Sequence, residues 1–299
     1  MGSVESETSI RGNSANRVSV SKVVAYIGEV EILQDQEKNS RIMKKRVNIS
    51  NFSEIKLQAV DVLVNTCHSN ILELIDVQQV AENDYEVYFE DFLYTLEDEI
   101  HLRGETGMCF TNQEIFAILR QITSALACLQ EKGIPHGGIM TSAILKLHSN
   151  EYKIVHPLLI GRSLHRESLD KNSQQSDLLR FVPETPESKL QGDVSDLFRD
   201  DIYGLGIALI DACLLGRTEL ALKKRKALAR KRYSPLVVGL LEKMLESRES
   251  ERLDSLVLNY IINEEDVVNR IDRPRSHKKE PQEDLFFVSA HVQWNEIIC

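Results

Sequence analysis

Eight histidines, five cysteines and one stretch with seven basic side chains in ten are the residues from which this 299-residue chain could build a reactive or binding site. A zinc hydrolase sets two histidines one helical turn apart with a glutamate as base, and a serine hydrolase of the elbow type needs G-x-S-x-G. Neither arrangement occurs. Cys67, Cys109, Cys128, Cys213 and Cys299 lie far apart, are odd in number and form no CxxC pair, which argues against a disulfide framework and against a zinc site. The basic run, KKRKALARKR at 223–232, suits a solvated helix face first and a nuclear-localisation or acidic-partner patch second. Ser163, Ser168, Ser173 and Ser176 stand among charged residues, where an added phosphate could meet Arg162, Arg166 or Arg180, although exposed serines are commonly polar filler.

The bulk composition narrows the classes further. Asp plus Glu number 46 against 36 Lys plus Arg, and a net charge of −10 sets the surface against a polyanion, so no nucleic-acid partner is expected. Apolar residues make up 42% and charged residues 27%, with no apolar run of membrane-spanning length, as in a globular protein of one large domain or two coupled units. The opening Met1-Gly2-Ser3-Val4-Glu5-Ser6 fits the short myristoylation pattern, but Glu5 and Glu7 are acidic and no polybasic stretch follows. Membrane contact is therefore expected only if Gly2 is acylated. The cysteine usage and the lack of a signal peptide point to the cytoplasm, with the nucleus as second choice.

Residues 1–19 have almost nothing to bury and read as a disordered arm. From 20 to 95 the pattern predicts strands at VSKVVAYIG, EVEILQD and SRIMKKRV, a helix at NFSEIKLQAVDVLVNTC, and strands at ILELIDVQQV and YEVYFEDF. From 96 to 270 the signals are helical. Thr111 with Glu114 forms a capping box ahead of Ile115, Ile118, Leu119, Ile122, Leu126 and Leu129, and Gly133 stands where the helix should end. DIYGLGIALIDACLL at 201–215 is apolar on nearly all sides and predicts a buried helix, and Pro235 behind Ser234 opens another. LDSLVLNYII closes this part, and 271–299 reads as a linker and an apolar tail.

IPHGGIMTSAILKL, followed eleven residues beyond Leu145 by His156 in YKIVHPLLIG, resembles the catalytic and metal-binding loops of the eukaryotic protein kinase superfamily, whose patterns are H-R-D-L-x-x-x-N and D-F-G. The resemblance covers about residues 20–270 and rests on order: Lys44 in RIMK at the place of the V-A-I-K lysine, Pro183-Glu184 at the place of A-P-E, Asp201 in DIYGLG as the buried aspartate, and Arg252 as the partner of Glu184. It implies an α+β, bilobal protein-kinase-like fold, with a small antiparallel β-sheet lobe carrying one helix and a larger, mainly helical lobe.

The same resemblance implies that the chemistry has been lost. The places of the catalytic aspartate, the metal-binding asparagine and the D-F-G aspartate hold Gly138, Ala143 and His156. Glycine and alanine offer no ligand atoms, and a neutral imidazole is a poor ligand for Mg²⁺. Only Gly28 remains of a glycine-rich loop, Ile42 stands where a small alanine would face the adenine, and Ala59 stands where a carboxylate would pair with the lysine. Lys44 is then a vestigial nucleotide contact or an ordinary strand residue. His136, Glu184, Asp201 and Arg252 are expected to keep structural roles, with Asp201 accepting hydrogen bonds from the Gly137-Gly138 backbone. The implied function is that of a pseudokinase, not an enzyme: a scaffold or allosteric regulator of a protein partner, an active kinase among the candidates, with weak or no ATP binding, no cofactor and no metal. Two rivals remain, a divergent active serine/threonine kinase using displaced groups such as Asp200 or Glu151, and a non-kinase helical interaction protein.

Overall fold

A computed structural model describes residues 23–27, 30–35, 40–48, 62–156, 194–216, 220–246 and 251–263. The protein is a mixed α+β structure. Five strands, β1 (Val23–Ile27), β2 (Val30–Asp35), β3 (Ser40–Asn48), β4 (Leu74–Ala81) and β5 (Asp84–Glu90), form an antiparallel sheet in the order β1-β2-β3-β5-β4. These are the five runs expected from the sequence. Of the helix expected at 51–67, residues 62–64 are helical and the part before residue 62 lies outside the described residues.

Strand alternation gives the sheet two different faces. Met43, Val47, Tyr85, Val87 and Phe89 bury one face in a cluster that also takes in Ala143, Leu145 and Val155. Leu33, Ile42 and Tyr88 form a separate cluster on the other face, with Ile75 packed against it.

A second sheet of three short antiparallel strands, β6 (Tyr94–Thr95), β7 (Ile144–Lys146) and β8 (Tyr152–Ile154), lies against the helices. The chain just ahead of β4 is stitched to β8. Ile154 N donates to the Asn70 carbonyl at 2.8 Å, Leu72 N to the Ile154 carbonyl at 2.9 Å, and Asn70 Nδ2 to the Tyr152 carbonyl at 3.0 Å. Because three bonds converge on one three-residue strand, the sheet and the β7–β8 hairpin are held in a fixed relation.

Six helices follow the first sheet among the described residues: α1 (Leu96–Thr106), α2 (Asn112–Glu131), α3 (Val194–Leu214), α4 (Leu222–Arg232), α5 (Pro235–Met244) and α6 (Ser255–Asn263). The box at Thr111 and Glu114 forms as expected, Gly133 takes φ +73°, and Ser234 Oγ accepts from Val237 N at 3.3 Å to open α5. Reciprocal caps of this kind satisfy amide groups that a helix start otherwise leaves bare, and each is worth about 1 kcal/mol. α2 packs between α3 and α6. α3 is buried nearly all round, with Ile202, Leu205, Ala208, Leu209, Ile210, Ala212 and Cys213 at or below 1% exposure. It begins at Val194, seven residues before the apolar run, with Val194, Leu197 and Phe198 carrying helical spacing into it.

One buried polar network fixes the hairpin to α1. Glu99, 2% exposed, accepts through Oε1 from Arg103 Nη2 at 2.7 Å and Lys146 Nζ at 2.9 Å, and through Oε2 from the Tyr152 hydroxyl at 2.8 Å. Arg103 also reaches Glu114 at 2.6 Å and lies 4.0 Å over the Phe110 ring. Two carboxylates meet two cations, so the charge buried here is balanced. No helix among the described residues is long and apolar enough to cross a membrane.

Candidate functional site

His136, Gly138, Ala143 and His156 lie on the segment from Ile134 to Met140, the turn and β7–β8 hairpin that follow it, and the hairpin's end. The segment hangs on α3. Asp201 accepts from His136 N at 2.7 Å and from Gly137 N at 2.8 Å. The acceptance expected from Gly137-Gly138 thus falls one residue earlier, on His136 and Gly137. Burial pushes the Asp201 carboxyl up to about 7, and the two N–H donors pull the other way by favouring its charged form.

One turn along α3, Gly204 lets the loop come close. A Cβ built there would lie 2.5 Å from the Ile139 carbonyl oxygen, closer than atoms can approach. Asp201 and Gly204 therefore act together, one drawing the loop onto the helix and the other leaving room for it. Gly137 at φ +73° supplies the left-handed residue that turns the chain between them.

His136 is buried, and its Nε2 lies 2.9 Å from the Val155 carbonyl. That ties the start of the loop to the strand leaving the hairpin. Gly138 is half-buried and Ala143 buried, and Ala143 pairs with Val155 through a 2.8 Å bond from Val155 N. Neither offers a side-chain donor, acceptor or charge.

His156 is fully buried, with its ring 5.8 Å from that of Phe89 and tilted 49° to it. Its Nε2 is 3.1 Å from the Leu63 carbonyl, so Nε2 carries the proton and donates. Burial holds the imidazole neutral, lowering its pKa to about 4, while the Leu63 carbonyl partly offsets the shift. The side chain is a neutral tether between the helical turn at 62–64 and the hairpin. Beside it, His68 Nε2 lies 3.3 Å from Ser124 Oγ and ties the following residues to α2.

Of the two roles the sequence allowed Lys44, its placement is that of an ordinary strand residue. Ile42, Lys44 and Arg46 alternate onto the outer face of the sheet, away from the hairpin, whereas Met43, Lys45 and Val47 share the inner face. Lys44 Nζ pairs across strands with Glu31 at 2.8 Å and Glu86 at 3.4 Å. Partial burial opposes its charge, but the Glu31 hydrogen bond and the field of both carboxylates outweigh that and hold its pKa above the ordinary lysine value. Lys44 is an outer-face strand residue. The lysine on the inner face is Lys45, 6% exposed, and the residue two positions before it on that face is Met43, not Ile42. RIMKKR has a lysine and an apolar residue for either parity, so the sequence alone does not say which of them share a face with the hairpin.

Arg252 donates from Nη1 to Asp200 at 2.9 Å and from Nε to the Glu246 carbonyl at 2.8 Å, and lies 4.4 Å over the Tyr203 ring. Glu184, its expected partner, lies outside the described residues, as do Pro183, Gly28, Ala59, Gly2, the four serines at 163–176 and the tail from 271. Of the displaced groups considered for catalysis, Asp200 is engaged by Arg252, and Glu151 sits exposed in the β7–β8 turn, accepting from Ser149 Oγ at 2.9 Å. Neither stands in the 134–140 loop. Among the described residues no three His, Cys, Asp or Glu side chains converge where a metal ion could be held.

Met43, Leu145 and Val155, at 1%, 0% and 4% exposure, belong with Ala143 to one contiguous apolar cluster between sheet and hairpin, buried by protein atoms alone. Such a surface can hold two parts of a fold together. Compared with models of known families the chain matches none, and no curated protein sequence resembles it significantly.

Proposed function

We propose that the chain is a catalytically inactive, protein-kinase-like domain, with the sheet as its small lobe and the helices as its large lobe, acting as a scaffold or allosteric regulator of a signalling partner. One observation supports this reading: the 134–140 loop and the hairpin are held by buried polar contacts, while the places that would do chemistry carry no group suited to phosphoryl transfer. Asp201 keeps its two amide donors and His136 its carbonyl. Gly138 and Ala143 have no functional groups, and His156 spends its Nε2 proton on Leu63.

Phosphoryl transfer needs a base near the attacking hydroxyl and oxygen ligands for Mg²⁺ at the phosphates. A neutral, buried imidazole supplies neither. The inner-face Met43, packed into the cluster with Leu145, also argues against an adenine site between sheet and hairpin. What such a domain retains is a rigid frame able to present surfaces, and the partner class is a protein, an active kinase among the candidates. The setting that fits is the cytoplasm, then the nucleus.

The test is phosphoryl transfer. Purified chain incubated with radiolabelled ATP, Mg²⁺ and generic protein acceptors is expected to transfer no more label than its Lys45→Ala variant. Transfer that falls in Lys45→Ala would favour the divergent active kinase and overturn the proposal.

A further inference from the structure

The basic run at 223–232 forms helix α4, and the structure sorts its cations into two groups. One group is spent on the fold. Arg225, 7% exposed, pairs with Asp211 on α3, Lys226 Nζ donates to the Leu245 carbonyl at 2.8 Å, and Arg230 Nε meets Glu242 on α5 at 2.6 Å. These contacts fix which way the helix faces.

The other group lies outward. At about 100° per residue, Lys223, Lys224, Ala227 and Lys231 share one stripe about 100° wide and about 12 Å long, and all four are exposed. Three carry positive charge, with Ala227 as a low point between them. α4 contains no acidic residue, and neither Lys223 nor Lys224 has an acidic partner among the described residues. Both occupy the first turn, where the helix dipole disfavours cations. A charge arrangement unfavourable to the isolated helix, on a chain with net charge −10, is a local inversion of the protein's field.

We propose that this outward face of α4 is a docking surface for an acidic segment of a partner protein, a short run of Asp and Glu side chains set along the stripe. The length of the stripe, a little over two turns, suits a short peptide. A nucleic-acid duplex, with a phosphate about every 1.7 Å, carries far more charge than a few lysines can meet on a chain of net charge −10. The proposal rests on reading the chain as a partner-binding domain, but α4 lies apart from the 134–140 loop, so peptide binding and phosphoryl transfer can fail independently.

The test is fluorescence anisotropy of a labelled hexaglutamate peptide titrated with the full chain, and with K223E/K224E, at about 50 and about 200 mM salt. The expected result is saturable binding that weakens with salt and falls about tenfold or more in the double variant, because two attractions become repulsions. The variant's melting temperature should not drop, since both sites are exposed and acids suit a helix start. If the variant nonetheless unfolds, K223A/K224A is read in the same way. Equal binding by wild type and variant, no binding by wild type, or tighter binding of a short DNA duplex than of the peptide would each overturn the proposal.

Discussion

His156 should make the protein acid-sensitive in a way that one substitution removes. Its imidazole is neutral when folded, with a pKa lowered to about 4, against 6.5 for the free side chain. For a base whose folded pKa is depressed, the unfolded chain binds the proton first. The contribution is therefore fully present above pH 6.5 and is lost as pH falls toward 4. At about 1.4 kcal/mol per tenfold change in proton affinity, the loss is about 2 kcal/mol near pH 5 and about 3 kcal/mol below pH 4. His156→Phe removes the titration while keeping a ring beside Phe89. It also deprives the Leu63 carbonyl of its donor, so at neutral pH the variant should be about 1–2 kcal/mol less stable than wild type. Urea unfolding of both proteins from about pH 7.5 to about pH 5 measures the difference. Asp201, whose raised pKa gives the opposite pH dependence, is present in both and cancels. The gap should close, or reverse, as pH falls. Parallel stability curves would refute the reasoning, because they would mean that His156 takes up a proton in place and is not sealed between Leu63 and Phe89.

Other substitutions probe the frame. Asp201→Ala should cost about 2–6 kcal/mol, from two amide donors left without an acceptor, and Asp201→Asn, which keeps one acceptor, should cost less in the same unfolding assay. Gly204→Ala should destabilise by about 1–3 kcal/mol, because the new methyl meets the Ile139 backbone oxygen, which no side-chain rotation can relieve. Amide exchange of His136 and Gly137 should quicken in that variant. Glu99→Gln leaves Arg103 and Lys146 facing one carboxylate fewer, and calorimetry should show a loss of about 3 kcal/mol, or about 10 °C in melting temperature.

The parts of the fold written in short-range pattern were legible in the sequence. The five strands announce themselves by β-branched runs between polar turns, and the Thr111 box and Pro235 start mark helices by chemistry confined to a few residues. What the sequence hid is of two kinds. Parity was ambiguous where both faces of a strand are buried: Ile42 and Met43 are both apolar, Lys44 and Lys45 both charged, and only the pairing with β5 separates them. Buried charge was the other. Glu99 in LEDEIH looks like a surface residue, because its partners Lys146 and Tyr152 are about fifty residues away in the chain. Within the candidate site, Asp201 and His136 were readable through their motif, whereas Gly204 needed the approach of Ile139 to give it meaning.

The central claim is that a phosphate-transfer frame has been kept without its nucleotide chemistry, and a thermal-shift titration of the full chain with ATP, with and without Mg²⁺, tests it most directly. A ligand that binds only the folded state raises the melting temperature with concentration. The account predicts no shift under either condition, because Met43 and Leu145 are buried in one apolar cluster shared by sheet and hairpin and His156 offers Mg²⁺ no oxygen. A concentration-dependent, Mg²⁺-dependent rise that disappears in Lys45→Ala would contradict it.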